Sequence, residues 1–303
     1  MTGTGPVELA WWQGKLVPSD TALSMANHSL NYGVCVIEGI TAMPADGAAH
    51  HVFRLDAHVA RFVESCRLVG ITLEPTATEI AEACHEVLVA NGMRRAYLRP
   101  IAFLGDGVLG LAEPDAVAEV AVLAFDASGF DGRVRGHRPR LTLSPVARLS
   151  PTAFPTKAKV SGGYVNSRMA LVEARRRGFD EAVLLDDDGF VAECSVQNVF
   201  GVRGRTVLVP ESAAALDGIT VASAAELAAA LGYEVVRGPL APAELAACDA
   251  VCVTGTAAGV RPAVCLDDVV LDPDNAVVAD LVRAYGEAER GVLTGFEHWS
   301  STR

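Results

Sequence analysis

From Glu181 to Val209 four extended runs follow one another with no helix between them: 181–186, 190–195, 198–202 and 206–209. Asp188-Gly189, a dipeptide suited to a two-residue hairpin turn, joins the first two. Parallel neighbours need a crossover connection, usually a helix, so a doubly wound sheet would alternate strand and helix. Consecutive strands instead predict an α+β fold. Helices come in blocks. Leu55, Val59, Phe62, Val63 and Cys66 recur at helical spacing until Gly70. A second helix opens at the capping box Thr76-x-x-Glu79, carries Ile80, Cys84, Val87 and Leu88, and stops at Gly92. Before this block lie a hairpin over 8–17 and extended runs at 35–43 and 50–54; after it come strands at 96–103 and 117–125.

Residues 127–139 are rich in glycine and charge and lack periodicity, so they read as an interdomain linker. They divide a small N-terminal α+β domain, 1–126, from a larger C-terminal domain, 140–303. The second part continues with a strand at 141–146, helices at 165–177 and 219–231, and a strand at 233–237. A short helix at 242–248, a strand at 249–254 and a helix at 276–289 complete it.

Charge and cysteine content exclude several classes. The 303-residue chain carries a net charge of −12, opposite to what a nucleic-acid surface requires. Its longest apolar run, 117–125, is interrupted by Glu119 and falls well short of the roughly 20 residues of a membrane span. The first residues show no secretory signal pattern. The seven cysteines form no CxxC pair and no metal-ligand spacing, which predicts small buried hydrophobes in a reducing cytoplasm and no metal site.

Lysine is scarce. Only Lys15, Lys157 and Lys159 stand among 25 basic residues. The last two precede Ser161-Gly162-Gly163 and Tyr164. Such a segment is either a loop with solvated lysines or a place where a buried lysine loses its proton and bonds a carbonyl carbon. Glu193 follows a tight turn, with Val191 and Ser195 expected on its face of the strand, and is either an edge carboxylate in water or one set to pair with a cation. Asp217-Gly218-Ile219-Thr220 opens a helix, where Asp217 caps or free N–H groups receive an anion. Gly255-Thr256-Ala257-Ala258 ends a strand in a turn able to point N–H groups at phosphate or carboxylate.

The order and spacing of these segments resemble the class IV pyridoxal-phosphate enzymes of fold type IV. Asn27-His-Ser-Leu-Asn-Tyr32-Gly-Val-Cys-Val-Ile-Glu38-Gly39-Ile resembles the family's H-x-L-x-Y-G-x-x-x-F-E-G-I segment. Phe53-Arg54 with His58-Val-Ala-Arg61-Phe resembles F-R-x-x-x-H-x-x-R-L, and Ala96-Tyr97-Leu-Arg99-Pro100 resembles A-Y-x-R-P. The likeness runs nearly end to end and is strongest to branched-chain amino-acid aminotransferases.

That resemblance implies the two-domain fold type IV architecture of the D-amino-acid aminotransferase type, pyridoxal 5′-phosphate as cofactor, and a homodimer or higher homo-oligomer. It implies ping-pong transfer of an amino group between a small apolar L-amino acid and a 2-oxo acid such as 2-oxoglutarate. The alternatives are a D-amino-acid or (R)-amine aminotransferase and an aminodeoxychorismate-lyase-like enzyme. By the same resemblance Lys159, five residues before Tyr164, is the catalytic lysine and holds the cofactor. Tyr164 meets the cofactor's phenolic oxygen and Glu193 its ring nitrogen. Arg61, Gly218, Ile219, Thr220 and Thr256 take the phosphate. Thr256, Ala257 and Ala258 receive the substrate carboxylate, Arg99 a distal carboxylate, and Tyr32, Ile37 and Tyr97 the side chain. Four positions depart from the family pattern: Ile37, Thr41, Gln197 and Gly259.

Overall fold

The computed structural model describes residues 7–45, 50–105, 110–111, 118–127 and 135–303. Of the expected linker 127–139, residues 128–134 lie outside the described residues. Packing divides the chain into two units. One comprises Met1–Gly129, Ala158–Gly162 and Ala288–Arg303; the other comprises Phe130–Lys157 and Gly163–Glu287.

The first unit grows from the predicted hairpin, β1 (Leu9–Trp12) and β2 (Lys15–Pro18). A five-residue helix, α1 (His28–Tyr32), is capped by Asn27 and has no apolar period to announce it. The run expected at 35–43 breaks into β3 (Cys35–Ile37) and β4 (Ile40–Pro44). β5 (His50–Phe53), β6 (Ala96–Leu104) and β7 (Ala118–Asp126) follow, with α2 (Leu55–Leu68) and α3 (Ala77–Ala90) between β5 and β6. The Thr76–Glu79 capping box forms in both directions.

Alternation along β6 and β7 decides which face meets the helices. Ala96, Leu98, Ala102, Val120, Val122 and Ala124 are buried, and α2 and α3 add Phe62, Cys66, Ile80, Val87 and Leu88 to the same core. Each large apolar side chain buried this way contributes roughly 1.5–3 kcal/mol. The opposite parity, Tyr97, Arg99 and Ile101, faces away from the helices, with Thr41 and Ile37 registered beside Tyr97 and Ile101.

Two segments that the sequence assigns to the C-terminal domain belong to this first unit. Val160 makes an antiparallel bridge with Val36. The last strand, β18 (Ser300–Thr302), adds to the edge of β5, giving the order β18-β5-β4-β6-β7-β1-β2 with β3 also on β6. A three-residue strand at a chain end carries too little pattern to read.

In the second unit β8 (Arg140–Leu143) is shorter than the expected 141–146. It leads through α4 (Tyr164–Arg176) to the parallel strand β9 (Glu181–Leu185), which pairs with β10 (Val191–Cys194). A second sheet is built from β11 (Asn198–Arg203), β12 (Thr206–Pro210), β13 (Glu234–Gly238), β14 (Ala250–Gly255) and β15 (Gly259–Pro262). Its order is β13-β12-β11-β14-β15. The alanine-rich helix α5 (Ile219–Ala230) packs on this sheet. The short helix α6 (Pro242–Ala246) precedes β14. Two short strands, β16 (Cys265–Leu266) and β17 (Val269–Val270), complete the sheet of β8, and α7 (Ala276–Glu289) follows. The seven cysteines are free thiols, and burial pushes Cys66 up to about 12. Among the described residues no helix is long and apolar enough to cross a membrane, and no cluster of His, Cys, Asp or Glu could hold a metal.

Candidate active site

The first unit gathers one set of chemistry-bearing residues around Lys159. Its segment is irregular but tied at both polar backbone groups. The Lys159 N–H donates to Ser65 Oγ at 3.0 Å, and its carbonyl accepts the Ile37 N–H at 3.1 Å. Ser161 Oγ donates to the Gly33 carbonyl at 3.0 Å. Lys157 is differently placed, in the second unit. Its Nζ lies 2.7 Å from Asp217 and donates to the Ser212 carbonyl at 3.3 Å.

Helix α2 presents His58, Arg61 and Ser65 at spacings of three and four, hence on one face. The first two meet Glu38, which is fully buried. Arg61 forks onto it, Nε to Oε1 at 2.6 Å and Nη2 to Oε2 at 2.9 Å. Oε2 also accepts from His58 Nδ1 at 2.8 Å and from the Gly39 N–H at 3.0 Å. Burial alone would push the Glu38 carboxyl up, but Arg61 and His58 together hold it well below the usual carboxylate range. A carboxylate only accepts, so His58 Nδ1 carries the proton. Burial pushes His58 down, Glu38 opposes this, and the charges of Arg61 and Lys159 reinforce it. The imidazole is therefore neutral near pH 7.

Beyond Glu38 the chain turns at Gly39, where any β-carbon would collide with the Tyr97 hydroxyl. Tyr97 accepts from Arg99 Nη2 at 3.1 Å, and among the described residues the buried Arg99 Nε has no hydrogen-bond partner. Tyr32 ends α1, half-exposed, its ring 4.7 Å from that of His28. On the Arg99 face of the sheet lies an apolar cavity of about 400 Å³, lined by Trp12, Leu30, Cys35, Phe103, Leu123 and Ser161 among others.

The second unit holds the other set. Glu193 stands on β10 just after a bulge: Val191 pairs with Leu185 but Glu193 with Leu184. The extra residue places Val191 and Glu193 on opposite faces, correcting the expectation that they share one. Val191 joins the apolar core while the Glu193 carboxylate turns to polar partners. Arg148 Nε donates to Oε1 at 2.7 Å, and Oε2 accepts from the Leu216 N–H at 3.2 Å and from Asn198 Nδ2 at 3.4 Å. Arg148 is itself steadied by Asn166 Oδ1 at 3.1 Å.

Helix α5 starts at Ile219 with Gly218 as its cap and no side-chain cap hydrogen bond. Asp217 therefore does not cap it, and pairs with Lys157 instead. Thr220 is buried in the first turn. The Thr256-Ala257-Ala258 turn joins β14 to β15 and is closed by the Ala258 N–H donating to the Gly255 carbonyl at 2.9 Å. Gly259, one of the departures, has φ of +66°, a backbone an acidic residue would adopt only under strain. Gln197, another, accepts from Arg261 Nη2 at 3.1 Å. Tyr164 opens α4, half-buried.

Glu38, His58, Ser65, Arg148, Asn166 and Asn198 carry no role in the expected site. The spacing of His58, Arg61 and Ser65 on one helix face could have revealed His58 and Ser65. The others are brought to their partners by tertiary structure alone.

The first unit offers a tethered lysine; the second offers an uncapped helix start, an oriented buried carboxylate and a half-buried tyrosine, groups whose chemistry suits pyridoxal phosphate. Such groups on an α+β chain match the requirements of a fold type IV pyridoxal-phosphate enzyme. Residues 36–265 match the family described as amino-transferase class IV. The branched-chain-amino-acid aminotransferase of Pseudomonas aeruginosa is 33% identical over 255 residues, 83% of this chain and 82% of that protein. The crystal structure of the Escherichia coli branched-chain amino acid aminotransferase superposes with a TM-score of 0.91. It is 28% identical and covers 97% of this chain and 99% of that one. The branched-chain aminotransferase of Thermoproteus uzoniensis with norvaline has a TM-score of 0.92 and 31% identity, covering 98% and 99%. This chain belongs to the class IV aminotransferase family and is a pyridoxal-phosphate-dependent transaminase.

Proposed function

We propose that Lys159, Tyr164, Glu193, Arg61, Gly218, Ile219, Thr220 and Thr256 hold pyridoxal phosphate in the roles that the family resemblance implies. The chain is a branched-chain-type aminotransferase, moving an amino group between a small apolar L-amino acid and a 2-oxo acid. When bound, the cofactor supplies an electron sink for the carbanion at the substrate's Cα. Lys159 Nζ takes and returns the Cα proton; the ties of its backbone to Ser65 and Ile37 fix where that amine starts. Glu193 keeps a proton on the ring nitrogen, and Arg148 and Asn198 hold its carboxylate in place. The uncapped N–H groups of Ile219 and Thr220 and the Arg61 guanidinium take the phosphate. Arg99, whose buried Nε has no hydrogen-bond partner among the described residues, takes the distal carboxylate of 2-oxoglutarate. Thr256, Ala257 and Ala258 receive the α-carboxylate, and Tyr32, Ile37 and Tyr97 shape the apolar pocket.

The observation that carries this reading is where the two lysines are anchored: Lys157 Nζ contacts Asp217 and Ser212 in the second unit, while Lys159 sits on an irregular segment tied by its backbone to Ser65 and Ile37. Enclosure in the cytoplasm as a homodimer or higher homo-oligomer is part of the same proposal. The oligomer is supported by the exposed Leu23 and Met25 before α1 and Leu30 within it, which a second copy would cover. The test is the visible spectrum of the purified protein before and after excess L-leucine with no acceptor. Bleaching of the bound-cofactor band is expected. A yellow protein whose band ignores leucine would keep the cofactor and overturn the substrate.

A further inference from the structure

We propose that Glu38 is a positioning residue that acts through Arg61, so that affinity for a phosphorylated cofactor depends on a carboxylate buried behind the arginine. The inference rests on the reading of Arg61 as a phosphate ligand. Glu38 is fully buried, and removing a charge from water is costly unless geometry compensates. Here compensation is thorough: two donors from Arg61, one from His58 and the Gly39 N–H converge on the carboxylate. Its own N–H donates to the Pro100 carbonyl at 2.9 Å, tying it to the central strand β6. The carboxylate is therefore a fixed post against which the Arg61 guanidinium is oriented.

The fork uses Nε and Nη2, one side of the guanidinium. A planar guanidinium held along that side has its Nη1/Nη2 edge aimed in a set direction, and such an edge matches two oxygens of a phosphate monoester. Arginine otherwise spends side-chain entropy on binding, so a pre-set fork shifts that cost from the binding event to folding. His58, one turn before Arg61 on α2, fixes the same carboxylate from the helix side. The pair thus couples helix and strand to one charged edge.

The experiment titrates apoenzyme, resolved from holoenzyme, with pyridoxal 5′-phosphate and with pyridoxal. The two share ring and aldehyde and differ in the phosphate; absorbance of the bound chromophore gives each Kd. Wild type, Glu38→Gln, Arg61→Lys and the double variant are compared. Glu38→Gln should weaken the phosphorylated ligand roughly tenfold or more and pyridoxal no more than about twofold. In the Arg61→Lys background Glu38→Gln should add no further selective loss, because an ammonium has no fork to aim. Equal losses for both ligands, which general structural damage would give, overturn the proposal. An unchanged ratio in Arg61→Lys overturns the phosphate reading of Arg61 and the proposal with it. A selective loss in Arg61→Lys but none in Glu38→Gln overturns the proposal alone. Where Glu38→Gln lacks native circular dichroism, Glu38→Asp replaces it, keeping the charge but withdrawing the carboxylate by one methylene. A folded Glu38→Asp protein with the wild-type ratio overturns the proposal.

Discussion

At the scale of single residues, the two neighbouring lysines separate structure from chemistry. Lys157 and Asp217 are both substantially exposed, and an ion pair of that kind is worth at most about 1 kcal/mol. Lys157→Ala should keep both bound chromophore and turnover, while Lys159→Ala should lose covalent cofactor and turnover together. Absorbance and steady-state rates of the two variants check this, and equal losses would sink the choice of Lys159. Glu193 makes a second test. Glu193→Gln keeps the shape but removes the charge that Arg148 faces, and loss of such a preorganised group costs about 10²-fold in rate. The loss should appear in Cα proton removal, read as a larger primary isotope effect with 2-deuterated leucine. A wild-type rate would remove Glu193 from the site. Lys159, Glu193 and Arg61 were singled out as candidates by the family spacing. Arg148 was not, since it approaches Glu193 across 45 positions of chain with no local pattern to mark the pairing.

At the scale of elements, what was legible is what is amphipathic or capped. α2 and α3 begin where apolar period and capping box place them, because both signals are local. The 35–43 run was readable as extended, but not its break at Glu38-Gly39, where the missing β-carbon of Gly39 leaves room for the Tyr97 hydroxyl. The edge strand β18 was silent in sequence, and its docking to β5 carries a pH dependence. His50 Nε2 lies 3.0 Å from His85 Nδ1, and His85 Nε2 lies 3.0 Å from Ser301 Oγ. Burial pushes both histidines down, His85 to about 4; His50 and Arg303 deepen the shift of His85, Glu82 opposes it, and His51 and Arg303 act likewise on His50. With folded pKa values below the unfolded value of about 6.5, the unfolded chain binds more protons in that interval. Stability is full above that value and falls as pH drops from about 6.5 toward the folded pKa values. Hydrogen exchange of the Ser300–Thr302 amides should accelerate across this window, and His85→Gln should flatten the profile. An unchanged profile in that variant would detach His85 from the effect.

At the scale of the whole molecule, the chain's last residues complete a unit begun by its first. Trp299 is buried, its ring packs edge-on against Phe53, and the Arg54 guanidinium lies 4.4 Å above it. The Trp299 carbonyl also accepts the Arg54 N–H at 2.6 Å, at the residue that caps α2. The C-terminal segment thus braces the start of the helix that carries His58, Arg61 and Ser65. A domain boundary drawn along the sequence misses this, because a return of 16 residues has no composition of its own to distinguish it. Trp299→Ala should cost about 3–5 kcal/mol, the range for deleting a buried aromatic. All three tryptophans, Trp11, Trp12 and Trp299, lie in the first unit, so the fluorescence of the remaining two still reports its unfolding. A lower urea midpoint for that signal is expected, accompanied by weaker retention of pyridoxal phosphate because α2 loses its brace. If the midpoint falls but retention does not, the segment stabilises the unit without supporting the site. If neither changes, its packing against Arg54 contributes nothing that the rest of the unit does not already supply.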